Sequence, residues 1–518
     1  MDDIQKRQAA FAAMLILPLF AWFITAKTIY GFTPQTVRHV MPSLIRNTFS
    51  LWPLWTALMV GEMIALMGIV FAVKAGKQPF KGATFSKFYR GTQIVTASEL
   101  ARETTEKGKK QITIAGVPMP TDAENTHVSI GGSTGAGKST VFKEMMVCCL
   151  ARGDRMVVLD PDGEFLSNFY RKGDKILNPY DARSEGWSFF NEIRADYDFK
   201  RYSASIIQRS GSADSEEWND YGRLLFAEVA RKVYATERNP TMDQVFDWTN
   251  RRTLEELEEF VEGTNAQALF TGNSRASGSA RFVLSNKIPP HLEMPQGHFS
   301  LRDWIADPNG GNLYITWTEN TRAALVPLIS CFVDTIFSSV LGMSTDPNRR
   351  LWVYLDELES LARLPTLGDA LTKGRKKGLR VVSGYQTYTQ LVDVYGENLA
   401  ETMLGNHRTM VALPIGRMGE KTAEKMARAL GQHEVMRHRA GRSRKTFGGA
   451  GTSSQNEEIR PELVVLPSEL MRMPNLEGYL AFPGDLPVAK FRTEPVTYTR
   501  RNRVPGMISL DGEIMGAS

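Results

Sequence analysis

The chain has 518 residues, of which 62 are Lys or Arg and 57 are Asp or Glu, so its formal net charge is +5. A chain of this length has room for about two to four domains, and its mild positive charge allows a nucleic-acid or acidic-membrane partner without requiring one. Three cysteines occur, at positions 148, 149 and 331. Their number and spacing exclude a disulfide-stabilised scaffold and a cysteine-rich zinc site.

Two long apolar stretches lie near the start of the chain. Residues 8–26 carry no charged side chain, and residues 47–73 carry one, Glu62. A membrane-spanning helix needs about 20 apolar residues, so each stretch is long enough to cross a bilayer. The first stretch alone is compatible with a signal peptide. The second stretch, and the lack of a clean small-residue cleavage site, favour a two-helix transmembrane hairpin within residues 1–75, with spans at about 8–26 and 49–73.

The basic residues around these stretches predict their orientation. Seven Lys or Arg residues flank the hairpin between positions 6 and 90, and three lie in the segment that connects its helices. By the positive-inside rule, we expect both chain termini in the cytoplasm, with the connecting segment on the other side of the membrane. Glu62 would lie within the second span, where a carboxylate is costly. We therefore expect it to be protonated or to face another helix.

The most specific motif in the chain follows a short apolar run at 127–130 and precedes a helical pattern at 141–150. It matches the phosphate-binding pattern G-x-x-x-x-G-K-[ST] at every fixed position. In such a loop, glycines let backbone N–H groups surround phosphate oxygens at a helix N-terminus. We predict that Lys138 contacts the β- and γ-phosphates and that the Ser139 hydroxyl binds Mg²⁺. The predicted nucleotide-binding residues are Gly132, Ser133, Thr134, Gly135, Ala136, Gly137, Lys138, Ser139 and Thr140.

The pattern of the sequence changes at residues 183–300. Apolar runs typical of strands are replaced by charged segments with helical periodicity. One of these segments opens with Thr253 and Glu256, which have the spacing of a capping box. We predict an all-α domain at 183–300, inserted between two parts of an α/β nucleotide-binding domain at 76–182 and 301–518.

A second strand followed by acidic residues lies beyond this insertion. The apolar run 351–355 leads directly into Asp356 and Glu357, as expected for a central strand whose polar residues lie at its carboxyl end. Downstream of a phosphate loop, we interpret Asp356 as a residue that holds Mg²⁺ and Glu357 as the residue that polarises the attacking water. The next strand, 379–385, leads into Gln386, which either senses the γ-phosphate or caps the strand end.

Two basic segments complete the set of candidate functional residues. Residues 373–378 hold Arg375 among several lysines with no acid between them. We expect Arg375 to act as an arginine finger on the γ-phosphate of a neighbouring subunit, or the cluster to face solvent or DNA. Residues 437–445 contain five Arg or Lys in nine positions. They predict a flexible loop that contacts a nucleic-acid backbone, or one that is simply solvated.

These features together resemble one known family, the conjugative coupling proteins of type IV secretion (the TrwB/TraD group). The resemblance lies in the N-terminal anchor, the inserted helical domain, GGSTGAGKS at 131–139, LDEL at 355–358, GRK at 374–376 and SGYQT at 383–387. It implies a RecA-like P-loop NTPase with a mostly parallel α/β sheet, an inserted all-α domain and an N-terminal transmembrane hairpin. The residues to which it assigns the nucleotide roles of the family are Lys138, Ser139, Asp356, Glu357, Arg375 and Gln386.

The same resemblance implies a function. Members are hexameric, inner-membrane, DNA-dependent ATPases that use ATP and Mg²⁺ to recruit a relaxase–DNA complex and pump single-stranded DNA to the secretion channel. The implied partners are therefore single-stranded DNA, or double-stranded DNA, with relaxosome proteins, channel proteins and the membrane. Because the chain ends at Ser518 without the long acidic tail of some members, we expect the helical domain to recognise the relaxosome.

Two alternatives stay open at this point. One is a protein-secretion receptor of the same fold, whose cargo is protein and whose ATPase is indifferent to DNA. The other is a double-stranded DNA translocase of the FtsK type, which usually has four spans and a DNA-reading winged helix at its C-terminus. Neither of these two features is visible in the sequence.

Overall fold

The structure is a computed structural model, and it describes residues 3–76, 87–209, 213–271, 274–361, 363–443, 452–495, 503–512 and 514–515. The chain divides into two units, Met1–Thr84 and Phe85–Ser518. The helices of the smaller unit are α1 (Asp3–Tyr30), α2 (Val37–Arg46) and α3 (Trp52–Gly76).

Helices α1 and α3 pack closely against each other within the smaller unit. A Cβ atom at Gly61 of α3 would lie 2.6 Å from the Cα atom of Pro18 in α1, so a glycine is required for this approach. Trp22 is buried in the small core of this unit. Other large apolar side chains of the two helices, including Phe20 and Met63, are exposed. The unit therefore presents apolar outer surfaces.

Among the described residues, the helix that is long and apolar enough to cross a membrane, by length and composition alone, is Glu319–Gly342. Of its apolar window, 67% is buried inside the larger unit, as in the core helix of a globular domain. The apolar helical stretches Ile16–Tyr30 and Trp52–Met67 are shorter. The transmembrane hairpin, with spans at about 8–26 and 49–73, is therefore not confirmed by the helices and stays a prediction.

The larger unit contains a strand-rich part and a helix-rich part. Its strands are β1 (Lys87–Gly91), β2 (Ile94–Thr96), β3 (Thr113–Ile114), β4 (Val117–Pro118), β5 (Val128–Gly131), β6 (Arg155–Pro161), β7 (Lys175–Leu177), β8 (Leu313–Trp317), β9 (Leu351–Leu355), β10 (Leu379–Tyr385), β11 (Thr409–Ala412), β12 (Gln432–Ser443), β13 (Thr452–Leu463), β14 (Glu477–Ala481), β15 (Val488–Arg492), β16 (Met507–Ile508) and β17 (Ile514–Met515). Its helices are α4 (Ala97–Thr104), α5 (Lys138–Arg152), α6 (Glu164–Phe169), α7 (Tyr197–Ile206), α8 (Ala213–Thr236), α9 (Met242–Phe246), α10 (Leu254–Phe260), α11 (Ser274–Lys287), α12 (Pro289–Leu292), α13 (Leu301–Ala306), α14 (Glu319–Gly342), α15 (Leu367–Lys373), α16 (Tyr388–Tyr395), α17 (Glu397–Asn406), α18 (Glu420–Ala429) and α19 (Pro467–Leu470).

Ten strands form one sheet in the order β2-β15-β14-β11-β5-β10-β9-β6-β8-β7. All neighbouring pairs are parallel except the two pairs made by β14, which confirms the prediction of a mostly parallel α/β sheet. The central strands are continuous apolar runs because both faces of the sheet are covered. In β9, Leu351, Val353 and Leu355 join the core on one face, and Trp352 and Tyr354 join the core on the other.

The segment between β7 and β8 is helical from α7 to α13, and it covers most of the range predicted as an all-α domain. Its described residues contain one isolated β-bridge, between Trp187 and Phe299, and no named strand. Phe226 of α8 and Leu284 of α11 belong to the same buried cluster as Val157 of β6. The helical segment therefore shares a core with one face of the sheet. Its domain boundaries stay a prediction.

The basic segment 437–445 is not a loop over its whole length. Residues as far as Ser443 continue β12, whose backbone pairs antiparallel with β13, so that Arg437 lies opposite Glu458. β1 pairs with the other edge of β12. The last two residues of the segment lie outside the described residues. The loop prediction is wrong for Arg437–Ser443, because charged side chains do not prevent the backbone from forming an antiparallel ladder.

A cluster of buried charges lies at the amino ends of the central strands. Glu124, which is fully buried ahead of β5, accepts hydrogen bonds from Arg152 at 3.2 Å and from Arg380 at 3.3 Å. Asp154 accepts a further bond from Arg152 at 2.9 Å. Arg350 approaches Glu124 and Asp154 at 4.0 and 3.9 Å. Three guanidinium groups therefore share two carboxylates, and we name this set the guanidinium cluster.

We expect Glu124→Gln to destabilise the protein by roughly 3–5 kcal/mol, because removal of one charge from a buried network leaves its partners uncompensated. The midpoint of thermal unfolding, followed by circular dichroism, should fall by several degrees. Glu103→Gln, at an exposed position on α4, is the matched control and should change the stability by less than about 0.5 kcal/mol. Equal midpoints for the two variants would show that Glu124 adds no stability.

Candidate nucleotide-binding site

The phosphate loop lies between β5 and α5, as the motif predicts. Gly135 and Gly137 have φ angles of +74° and +117°, left-handed values that favour glycine. A larger residue at position 132 would clash with Leu413, since a Cβ atom there would lie 2.6 Å from the Cβ atom of Leu413. The fixed glycines of the motif therefore correspond to conformational and steric requirements of this loop.

Lys138 begins α5, and its side chain turns back over the phosphate loop. Its Nζ atom donates to the carbonyl oxygen of Gly132 at 2.7 Å, and the side chain is buried. Burial lowers the pKa of Lys138, while the nearby carboxylates of Asp356, Glu359 and Glu357 oppose this shift. The ammonium group thus lies between the loop and a group of acids, where it can contact an incoming phosphate.

Asp356 follows β9 at the carboxyl edge of the sheet. Its Oδ1 atom is buried and has no hydrogen-bond partner among the described residues. Burial raises the pKa of Asp356 to about 7, Lys138 opposes the rise, and Glu357 and Glu359 add to it. A buried carboxylate oxygen without a donor, among further acids, is a suitable ligand for Mg²⁺. Ser139, the other predicted ligand, lies in the first turn of α5.

Glu357 and Gln386 are joined to the phosphate loop by hydrogen bonds. The backbone of Glu357 is left-handed, with φ +59° and ψ +59°, which costs about 1–3 kcal/mol for a residue other than glycine. Glu357 Oε1 accepts from Gln386 Nε2 at 2.7 Å, and Gln386 Oε1 accepts from the Thr134 hydroxyl at 3.3 Å. The structure therefore brings together the phosphate loop, the predicted acid and the predicted sensor.

The structure adds Glu359, which no motif in the sequence indicates. Glu359 Oε1 accepts from the backbone N–H of Gln386 at 2.6 Å, while its Oε2 atom is buried and has no partner among the described residues. Burial raises the pKa of Glu359. The available signal was its spacing of three residues from Asp356, because side chains with this spacing lie on the same side of a 3₁₀ turn.

Arg375 does not join this site within the subunit. It is exposed in the 3₁₀ turn Gly374–Lys377, which precedes β10, whereas Gln386 follows the same strand. β10 has seven residues, and a strand rises about 3.3 Å per residue. Arg375 and the phosphate loop therefore lie at opposite edges of the sheet, roughly 20 Å apart.

The cations around Arg375 are partly paired. Lys373 forms an ion pair with Asp369, one turn earlier on α15, at 2.9 Å. The Lys377 ammonium donates to the carbonyl oxygen of Met343. Lys373 therefore has an acidic partner that precedes the basic run in the sequence. Within the described part of the chain, the side chains of Arg375 and its neighbour at 376 have no such partner.

The comparisons with known proteins agree with this site. A family model described as the type IV secretion-system coupling protein DNA-binding domain matches residues 111–494. Coupling protein TraD of Escherichia coli (strain K12) is 28% identical over 491 residues, which cover 89% of this chain and 67% of TraD. A probable conjugal transfer protein TraG of Sinorhizobium fredii (strain NBRC 101917 / NGR234) is 25% identical over 409 residues, which cover 70% of this chain and 61% of TraG.

Solved structures of the plasmid coupling protein TrwB are also similar to this chain. TrwB in complex with ADP and Mg²⁺ is 47% identical, with a TM-score of 0.76, and the match covers 83% of this chain and 100% of that chain. TrwB in complex with the non-hydrolysable ATP analogue ADPNP matches equally well, with the same TM-score of 0.76. The family match includes the phosphate loop, Asp356 and Gln386, and it confirms the resemblance found in the motifs. The chain belongs to the family of type IV secretion-system coupling proteins.

Proposed function

We propose that this chain is a conjugative coupling ATPase that uses ATP and Mg²⁺ to move DNA towards a type IV secretion channel. The observation that carries the proposal is the hydrogen-bonded connection from Thr134 through Gln386 to Glu357. Beside it lies a buried carboxylate oxygen of Asp356 that has no partner among the described residues. TrwB, which is 47% identical to this chain, has been solved with ADP and Mg²⁺ and with ADPNP. These complexes support the same ligands here.

Each residue of the site has a distinct task in this proposal. Lys138 exchanges its bond to the loop carbonyl for phosphate oxygens. Ser139 and Asp356 hold Mg²⁺, which when bound neutralises charge on the phosphates. Glu357 orients the attacking water and accepts its proton. Gln386 bonds to both Glu357 and Thr134, and it thereby fixes the position of the water-activating carboxylate relative to the phosphate loop.

Lys138→Thr and Glu357→Gln should separate nucleotide binding from hydrolysis. Lys138→Thr removes a phosphate contact, so both binding and turnover should be lost. Glu357→Gln retains size and hydrogen bonding but not the base, so binding should persist while turnover falls roughly 10²–10⁴-fold. Binding of a fluorescent nucleotide and release of phosphate measure the two effects.

The control for this pair is Glu397→Gln, an exposed position at the start of α17, which should leave turnover unchanged. Near-normal hydrolysis in Glu357→Gln would contradict the assignment of Glu357 as the base. Normal nucleotide affinity in Lys138→Thr would contradict the assignment of Lys138 to the phosphates.

We also propose that the chain forms homo-hexamers in which Arg375 acts on the nucleotide of the neighbouring subunit. The support is its exposure, its lack of a partner among the described residues, and its position at the sheet edge opposite the phosphate loop of its own subunit. An arginine finger supplied by a neighbour must lie away from its own nucleotide. It contributes about 10³–10⁵ in rate by stabilising charge in the transition state.

Arg375→Ala should therefore bind ATP normally and lose roughly 10³–10⁵-fold in hydrolysis rate. Lys376→Ala, at the adjacent exposed cation, is the matched control and should hydrolyse normally. Mixing Arg375→Ala with Lys138→Thr subunits creates interfaces in which an intact loop meets an intact arginine, so phosphate release should partly return. Mixed rings without recovered activity would show that Arg375 does not act across the interface.

Single-stranded DNA is the proposed cargo, with relaxosome and channel proteins as partners. The family match is to a domain described as DNA-binding, which favours DNA over the protein-secretion alternative. The matches to coupling and conjugal transfer proteins favour conjugation over FtsK-type translocation. In this proposal, 76–182 with 301–518 is the motor domain, and the all-α domain at 183–300 recognises the relaxosome.

We propose that α1 and α3 anchor the protein in the bacterial inner membrane as two spans, with both termini and the motor domain in the cytoplasm. The exposed apolar side chains of these helices support this anchor. Membrane helices also pack through small residues, and the close approach of Gly61 to Pro18 is a contact of that kind. The excess of basic residues flanking the hairpin supports the orientation.

Single-stranded DNA should stimulate ATP hydrolysis by the purified full chain in detergent or nanodiscs. The stimulation should weaken as salt rises, because phosphate contacts release counterions from DNA. Double-stranded DNA of equal length tests strand preference, and Lys138→Thr controls for contaminating ATPases. Hydrolysis that is unchanged by any DNA, but stimulated by a cargo protein, would favour the protein-secretion receptor instead.

A further inference from the structure

A cavity of about 330 Å³ lies at the edge of the sheet opposite the phosphate loop. Its position follows from the ends of the surrounding elements, because Arg152 ends α5 and Arg350 immediately precedes β9. Of its five described lining residues, four have cationic side chains and none is acidic. The lining residues are Lys109, Lys110, Thr121, Arg152 and Arg350.

The charges around this cavity do not balance. Arg152 and Arg380 have side chains only 4% exposed, and with Arg350 they share the carboxylates of Glu124 and Asp154. Arg350 contacts those carboxylates only at 3.9–4.0 Å, at the limit of an ion pair. Burial lowers the pKa of Arg380; the carboxylates of Glu124 and Asp154 oppose this shift, and the positive charges of Arg350 and Arg152 add to it. The guanidinium cluster therefore holds one more positive charge than negative.

The two lysines at the mouth of the cavity add to this excess. Lys109 is paired with Glu106 and donates to the Thr121 hydroxyl at 3.0 Å. Lys110 has no ion pair among the described residues. Among the residues that the structure describes, five cations around the cavity thus face three carboxylates, which leaves a surplus of two positive charges. Arg152 and Arg380 are the buried members of this group, whereas Arg350 and the two lysines are exposed towards the cavity. Buried positive charge is costly, and an anion in the cavity would compensate the surplus.

We propose that this cavity binds a phosphate group. A phosphate monoester carries about −1.5 to −2 charges at neutral pH, which matches the surplus, whereas a carboxylate carries only one. Arg350 is weakly held and 41% exposed, so its planar guanidinium is free to take the bidentate arrangement that phosphate favours. Lys110 supplies a second cation. The cavity is distinct from the nucleotide site, because the whole sheet separates them.

The phosphate can come from two sources, a free phosphate or nucleotide, or the backbone of a nucleic acid. The cavity chemistry is the same for both. A free phosphate or nucleotide would saturate the site by itself, without contacts elsewhere on the protein. A backbone phosphate would make the site one contact among several along a strand, with a strong dependence on salt.

The test uses full-length protein carrying Lys138→Thr, so that the phosphate loop does not contribute. In 10 mM inorganic phosphate, compared with chloride at equal ionic strength, the melting temperature should rise by on the order of 1–2 °C. Adding Arg350→Gln should remove this rise. Because this variant also removes surplus charge, its melting temperature in chloride should stay unchanged or increase, which a purely structural role for Arg350 would not produce.

Lys110→Ala should also remove the phosphate-dependent rise, whereas Lys172→Ala, at an exposed lysine elsewhere, should retain it. A saturable shift with ADP, and unchanged affinity of the variants for a single-stranded oligonucleotide, identifies a free phosphate or nucleotide as the ligand. Weaker oligonucleotide binding, with a salt slope lowered by about 0.7 per lost contact, identifies a nucleic-acid backbone. Equal melting temperatures in phosphate and chloride, with oligonucleotide binding unchanged in both variants, would overturn the proposal.

Discussion

The parallel hydrogen bonding of β5, β10 and β9 determines the position of every residue in the nucleotide site. Tyr385 of β10 is in register with Gly131 of β5, and Ser383 is in register with Leu355 of β9. The three strands therefore end at one edge, so the loop, the acids and the amide that follow them converge there. A slip by one residue would turn the side chains of these strands to the opposite face of the sheet, and both apolar cores resist it.

The nucleotide site contains a strained backbone and buried charged groups, which are unfavourable by themselves and which the surrounding sheet holds in place. Glu357 has a left-handed backbone, and Asp356 Oδ1 is buried without a hydrogen-bond donor from the described part of the chain. Lys138 is buried beside these acids, so each sign of charge partly offsets the other. Such features persist only where a rigid framework over-determines them, and they are typical of sites that await a charged ligand. Gly384 leaves the space that this carboxylate oxygen needs, since a Cβ atom there would lie 2.9 Å from Asp356 Oδ1.

Local sequence patterns predict most of the sheet and of the nucleotide site. The features that they do not predict depend on tertiary contacts. The phosphate loop, the acids after β9 and the parallel sheet follow from motifs and apolar runs that need no knowledge of distant residues. Glu359 gains its importance from the backbone N–H of Gln386, 27 residues away, which no local pattern encodes. The β12 strand was missed because its partner β13 is recognised by pairing rather than by composition. The Lys373–Asp369 pair, by contrast, had the i, i+4 spacing of a helix and was open to prediction.

The rigidity of β10 has a mechanical consequence for a ring of such subunits. All seven of its residues are buried, and it is hydrogen-bonded on both sides, to β5 and to β9. A strand enclosed in this way moves only with the whole sheet, since packed interiors transmit displacement rather than absorb it. In the proposed ring, Gln386 follows one end of β10 and Arg375 precedes the other. A change at one nucleotide would therefore reach the next as a rigid rotation of the entire subunit, and not through the bending of a loop.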